Sequence, residues 1–368
     1  MNRFLLNLSR NTFVVVFVFL LLNKECSADE VSDLTTQALS ALKRRSYDIS
    51  IKCFDKLIQL NAPDAYLGRA KAFFEKHEYD KAMNDINEAI RIKPSAFAYG
   101  CRANTYSKMG DYEKAANDYS EAIRRDPENG DYYMDRAQIY VLDHQNSTAI
   151  IDFNTAILIF DGAGLTQSLA TAYSLRGQVY LLQGDDKCFS SFNKSIQINS
   201  TNSDLYLYRG QAFTSKKEYS KSIEDYNTAI KLNPTNAAAY ANRGASFAYK
   251  GFCARGIEDC SKAIQLDPNC AVAYAQLALI LGTGPDSKIR DGKRAVEYAK
   301  KACELTSWKD SLCLDALASS CAEAGNFEEA VKWGRESLKF NRPENEVKQA
   351  QNRLDLYKQG KPYHLSEK

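Results

Sequence analysis

The chain has 368 residues, 45% of them apolar and 26% charged, which excludes a disordered chain and leaves room for two ordinary domains or one long repeat array. Three of its 48 basic and one of its 46 acidic residues lie in the first 28, leaving 45 of each, so broad attraction to nucleic acid or an anionic membrane is not expected. Only His77, His144 and His364 supply imidazoles, with no H-x-x-x-H pair, which leaves little for a histidine metal site or general base.

Residues 1–28, MNRFLLNLSRNTFVVVFVFLLLNKECSA, combine a basic start, an apolar run from Phe13 to Leu22 and small residues at the end. The ten uninterrupted apolar residues fall short of the roughly 20 that a membrane span needs. The segment reads as an export signal cleaved after Ala28, giving a periplasmic or secreted chain. The alternative is an uncleaved anchor through residues 4–22. "NKEC" lacks the apolar and small residues that should precede a lipoprotein cysteine.

From residue 29 a phrase recurs. SIEDYNTAIKLNP ends at Pro234 and GIEDCSKAIQLDP at Pro268, 34 residues later, with AMNDINEAIRIKP and AANDYSEAIRRDP closing at Pro94 and Pro127. With the closing proline numbered 32, position 4 is Tyr66, Tyr99, Tyr133, Tyr206, Tyr240 and Tyr274. Position 8 is small: Ala70, Ala103, Ala137, Gly210, Gly244 and Ala278. Position 27 is Ala89, Ala122, Ala156, Ala229 and Ala263. Apolar residues at 4, 7 or 8, and 11 mark one helix face, and those at 20, 24 and 27 a second. Small residues let the two helices approach closely, and the proline stops the second helix. One such pair cannot bury its faces alone, so pairs must stack. Nine pairs are expected, at about 31–62, 63–95, 96–129, 130–161, 169–202, 203–236, 237–270, 271–307 and 311–341.

This pattern resembles the tetratricopeptide repeat (TPR) family. The resemblance covers nearly all of residues 29–342 and implies an all-α, right-handed α-solenoid of helical hairpins with a concave groove. The first pair departs from the pattern, with Gln37 and Cys53 where other pairs carry Arg and Asp. DGAGLTQS (161–168) is inserted, the fifth pair is one residue short near LLQGDDK, and the eighth carries the long loop GTGPDSKIRDGK (282–293). The closing segment, from DGKRAVEYAKKACEL to LYKQGKPY, looks like that of many bacterial multi-TPR proteins. Residues 343–368 should form a charged capping helix and tail, since a solenoid needs a polar terminal face.

An arginine occupies position 7 (Arg69, Arg102, Arg136, Arg176, Arg209, Arg243) and an aspartate position 23 (Asp85, Asp118, Asp152, Asp225, Asp259). In a hairpin that turns near position 15 the two lie opposite each other, which predicts structural ion pairs at Arg69–Asp85, Arg102–Asp118, Arg136–Asp152, Arg209–Asp225 and Arg243–Asp259. In the last two pairs position 7 becomes Leu277 and Leu317 while position 23 becomes Tyr298 and Trp333, so both charges disappear together.

The resemblance places ligands on the first helices at positions 2, 5, 9 and 12. Position 9 holds Lys71, Asn104, Gln138, Gln178 and Gln211 in successive pairs, a row able to donate to and accept from an extended peptide. Leu67, Phe74, Met134, Leu181 and Leu207 could add apolar contacts. The carboxylate clamp that some TPR proteins use for heat-shock chaperones is absent: Leu207 and Gln276 stand where its Lys and Arg should flank Asn242. No catalytic, cofactor or metal motif is present, and ten scattered cysteines without C-x-x-C read as small core residues. The expected function is a non-enzymatic scaffold for a protein or peptide partner. The alternative is a membrane-tethered accessory or regulatory subunit of an enzyme complex.

Overall fold

The computed structural model describes residues 28–340, 342 and 344–365. The expected export signal lies outside these residues but for Ala28, the first residue of the first helix. The described residues form nineteen helices and no strand. In chain order these are α1 (Ala28–Lys43), α2 (Tyr47–Gln59), α3 (Ala65–Glu75), α4 (Tyr79–Ile92), α5 (Ala96–Met109), α6 (Tyr112–Arg125), α7 (Gly130–Leu142), α8 (Asn146–Gly162), α9 (Thr166–Gln183) and α10 (Lys187–Ile198). They continue with α11 (Ser203–Ser215), α12 (Tyr219–Leu232), α13 (Ala237–Tyr249), α14 (Cys253–Leu266), α15 (Ala271–Thr283), α16 (Gly292–Leu305), α17 (Ser311–Glu323), α18 (Phe327–Ser337) and α19 (Glu344–Lys358).

The helices group as nine hairpins, α1/α2 to α17/α18, followed by α19, in two compact units divided in the chain between Ala172 and Tyr173, within α9. In the first unit each of the four first helices packs on its own second helix, and α2, α4 and α6 each pack on the first helix that follows. In the second unit the same alternation runs from α10 to α18, and α19 packs on α18 and α17. Each unit is thus a stack of helical hairpins in the manner of an α-solenoid.

The local rules that make the hairpins are visible residue by residue. In eight of the nine, position 15 adopts a left-handed backbone: Arg45, His77, Gly110, His144, Gly184, Lys217, Gly251 and Gly325 have φ between 59° and 88°. In the second hairpin the turn closes by two backbone bonds, His77 N to Phe74 O and Glu78 N to Phe73 O, both 2.9 Å. This double closure satisfies carbonyls that the ending helix leaves unpaired. Two of the three histidines are therefore turn residues. The eighth hairpin lacks the turn because 284–291 connect its helices by a longer path. Four second helices end two residues before the closing proline, and the residue between, Lys93, Asp126, Asn233 or Asp267, takes φ between −136° and −145°.

The cores follow the same numbering. Position 24 carries a ring buried to 1% exposure or less in five hairpins: Phe54, Tyr119, Phe153, Phe192 and Tyr226. The insertion at 161–168 is mostly absorbed into helices: α8 runs on to Gly162 and α9 begins at Thr166. On α19, Tyr357 is buried and its hydroxyl lies 2.9 Å from Ser319 Oγ of α17. Arg353 Nη2 and Arg342 Nη1 both donate to Asp315 Oδ2, at 2.7 and 2.8 Å.

Candidate functional site

All five arginine–aspartate pairs form, each in one geometry. Arginine Nε and Nη2 donate to the two carboxylate oxygens of the aspartate sixteen residues on, at 2.7–2.8 Å, in Arg69–Asp85, Arg102–Asp118, Arg136–Asp152, Arg209–Asp225 and Arg243–Asp259. Such two-point pairing between planar groups is the strongest form of a charge-assisted hydrogen bond. The hydrogen bond to its aspartate holds each of Arg69, Arg209 and Arg243 above the ordinary guanidinium value, against the opposing effect of burial. Aromatic rings at positions 4 and 11 flank the guanidinium: Arg243 lies 5.3 Å from the Tyr240 ring centre and 5.8 Å from that of Phe247.

The remaining nitrogen, Nη1, reaches the preceding hairpin. It donates to Asp55 Oδ1 from Arg69 (2.6 Å), Asn87 Oδ1 from Arg102 (2.9 Å), Ser120 Oγ from Arg136 (2.8 Å), Asn193 Oδ1 from Arg209 (2.6 Å) and Asn227 Oδ1 from Arg243 (2.7 Å). Each acceptor occupies position 25 of the second helix before it. The arginine therefore ties three helices: its own, its partner and the neighbour. Sequence reasoning missed this third bond, although its signal is present as a polar residue at position 25. Ser261 holds that position ahead of Leu277, where no arginine arrives, and its hydroxyl donates instead to Ile257 O of its own helix at 2.7 Å. The fifth hairpin differs again: Arg176 Nε donates to Ser191 Oγ at 3.3 Å.

The position 9 row is not uniform. Gln138 and Gln178 are buried, and their amide nitrogens donate within their own helices, Gln138 to Met134 O at 3.4 Å and Gln178 to Ser174 Oγ at 3.2 Å. The Asn104 side chain is half-buried, and its oxygen accepts from the Tyr119 hydroxyl at 2.7 Å. Lys71 is half-buried, pairs with Glu75 at 2.6 Å and lies 5.3 Å from the Phe74 ring centre; Gln211 is half-buried. The position 9 groups that stay half-exposed are thus Lys71 and Asn104 in the first unit and Gln211 in the second. Leu67, Met134 and Leu207 are core residues, not groove contacts.

Three segments, residues 35–97, 96–129 and 210–251, match models of the tetratricopeptide repeat. The chain therefore contains tetratricopeptide repeats. No curated protein sequence matches it significantly. Among solved structures, a tetratricopeptide repeat protein from Parabacteroides merdae is similar at 18% identity and a TM-score of 0.57, over 70% of this chain and 98% of that one. PilF of Pseudomonas aeruginosa is similar at 16% identity and a TM-score of 0.49, over 58% of this chain and 95% of that one. YrrB, described as a TPR protein with an unusual peptide-binding site, is similar at 19% identity and a TM-score of 0.40, over 51% of this chain and 95% of that one. Tetratricopeptide repeats are protein-interaction modules, so the chain is an interaction scaffold at this level of description.

Two further features of the TPR core bear on chemistry. All nine described cysteines are buried, and burial pushes up the thiols of Cys101, Cys188, Cys253, Cys260, Cys303, Cys313 and Cys321, to about 11 at Cys188 and Cys321. They occupy the stack as small apolar residues and are poor nucleophiles. Asp135, at position 6 of α7, is a buried acid beside Tyr119 and Gln138, whose amide nitrogen lies 3.4 Å away. Its carboxyl is pushed up to about 8, by burial first and by the charge of Asp131 second, with the Tyr119 hydroxyl opposing. An unfolded aspartate ionises near pH ~4, so between that value and the folded one the unfolded state gains charge that the folded state lacks. Stability therefore falls as pH rises through this window. Asp135→Asn should melt several degrees above the parent at pH 7.5, an advantage on the order of 2 kcal/mol, and lose that advantage by pH ~4. Thermal melts of both chains across pH 4–8 check this, and a gap independent of pH would contradict it.

Proposed function

We propose that the chain is an exported bacterial scaffold, without catalytic activity of its own, that binds an extended protein segment along the first helices of its TPR hairpins. One observation carries the reading. The five ion-paired arginines are each consumed by bonds inside the stack, so recognition falls to other first-helix positions, and position 9 keeps a half-exposed polar group in the second, third and sixth hairpins. In the first unit Lys71 and Asn104 are those groups; in the second, Gln211. An amide or ammonium row suits the alternating donors and acceptors of an extended backbone. Export rests on residues 1–28, and the bacterial source on the closing segment.

The test has two arms. A peptide library selected on the full chain should yield saturable binders, and Lys71→Glu with Asn104→Ala should weaken those that bind the first unit by about tenfold or more, about 1.4 kcal/mol. Selected peptides whose affinity ignores both positions, and ignores Gln211→Ala, would remove the row from recognition. Fractionation of the native cell addresses export. Mature protein beginning at Asp29 outside the cytoplasm supports it, and retention of residues 1–28 in membranes favours a tethered accessory subunit.

A further inference from the structure

Beyond α19 the described residues stay on the fold. Residues 361–365 run without regular structure back over the last hairpins of the second unit. Leu365 N donates to Thr283 O at 2.8 Å, at the end of α15. His364 Nε2 lies 2.6 Å from Glu323 Oε2, at the end of α17, and donates to that carboxylate. The Tyr363 ring packs against the buried cluster that includes Leu314, Leu317 and Ala322. Its phenol also lies close enough to Tyr249 and Tyr219 to add to their upward shifts, which burial dominates. Tyr249 and Tyr219 are themselves stacked, ring centres 5.1 Å apart.

These contacts share one register. Thr283 and Glu323 each occupy position 13 of their first helix, as does Tyr249, so the segment is bonded to a single row in the eighth and ninth hairpins and lies near its continuation in the seventh. The row is built independently of the segment. Glu323 already accepts from Arg290 Nε at 2.9 Å, and Arg290 Nη1 is fixed by the carbonyls of Gly284 and Pro285, both at 2.9 Å. The long loop at 282–293 thus supplies the arginine that orients the glutamate. Thr283 O belongs to the last turn of α15, where helix carbonyls lack intrahelical donors and accept from any suitable N–H. A backbone amide, an imidazole and two half-buried apolar side chains are what an extended peptide brings to a recognition groove.

We propose that Pro362-Tyr363-His364-Leu365 is an intramolecular ligand of a peptide-binding row at position 13 of the last three hairpins. The external partner of this row is an extended segment presenting an aromatic residue, a hydrogen-bond-donating imidazole or amine, and an aliphatic residue in succession. The tethered segment holds the row closed by its high local concentration until such a partner displaces it. This deepens the scaffold reading but rests on different residues, so loss of dependence on Lys71 and Asn104 would leave it standing.

A fluorescein-labelled peptide of residues 359–365, QGKPYHL, tests the proposal against two full-length chains: the parent, and the triple variant Tyr363→Ala, His364→Ala, Leu365→Pro. The variant should bind the peptide saturably, and the parent at least roughly tenfold more weakly, because only the parent carries the competing segment. Saturable binding of equal strength to both chains overturns self-occlusion. Absence of binding to a variant that melts as the parent does overturns the row as a site. Amide exchange in the unaltered parent supplies an arm that needs no substitution. The Leu365 amide should exchange at least roughly tenfold more slowly than in the free peptide, and exchange at the free-peptide rate would also overturn the proposal.

Discussion

Asp259→Leu is expected to destabilise the second unit by about 3 kcal/mol, because it leaves Arg243 mostly desolvated with its main partner gone. The side chains of Arg243 and Asp259 are 19% and 10% exposed, so water compensates only in part. The chain contains its own rescue. In the eighth hairpin the same two positions are Leu277 and Tyr298, packed in one apolar cluster. The double variant Arg243→Leu with Asp259→Tyr should therefore recover about half of the loss. Recovery stops there because Nη1 of Arg243 also serves Asn227, at 2.7 Å, and that bond to the preceding hairpin has no apolar substitute. Urea unfolding of the parent, single and double variants measures both terms. A double variant no more stable than the single one would show that the charges and their neighbours cannot be exchanged as a unit.

Gly244→Ala and Gly256→Ala should each cost about 2 kcal/mol, although alanine is the better helix former by about 1 kcal/mol. A Cβ at 244 would sit 2.8 Å from Gly256 O, and one at 256 would sit 2.7 Å from Gly244 O. Both obstacles are backbone, so neither can rotate away. The helices α13 and α14 must separate, and separation loosens Cys260, whose sulfur lies 3.0 Å from the same point. Once the first substitution has moved the helices apart, the second meets less resistance. The double variant should therefore lose less than the sum of the singles, a non-additivity readable in the same unfolding experiment. In the third hairpin the same positions are Ala103 and Ala115, both fully buried, so that pair of helices already accommodates two methyl groups.

Much of this was legible in the residue order. The 34-residue recurrence located the hairpins, the closing prolines located the ends of the second helices, and the sixteen-residue spacing of Arg and Asp identified five internal pairs. These are properties of short range. A helix face, a left-handed turn residue and two groups equidistant from that turn follow from the periodicity of one hairpin. Even the third arginine bond had a sequence signal, the polar residue at position 25. It was overlooked because it links neighbouring hairpins, whose relative rotation no single period specifies.

The position 9 row shows where the residue order stops being sufficient. Lys71, Asn104, Gln138, Gln178 and Gln211 share a register, yet Gln138 and Gln178 are buried while Lys71, Asn104 and Gln211 stay half-exposed. Burial at one register depends on the side chains of adjacent hairpins as well, as where Tyr119 of the third hairpin lies against Asp135 of the fourth, three residues before Gln138. The return of residues 361–365 onto Thr283 and Glu323 joins positions separated by four helices and by two, respectively. Sequence by itself determined the repeat, its turns and its internal charge pairs, because each is a contact within one hairpin. Only the tertiary structure decided which first-helix residues remain open and that the final segment closes a row. Those outcomes depend on how successive hairpins stack, and stacking is set by the summed packing of many side chains rather than by the spacing of any two.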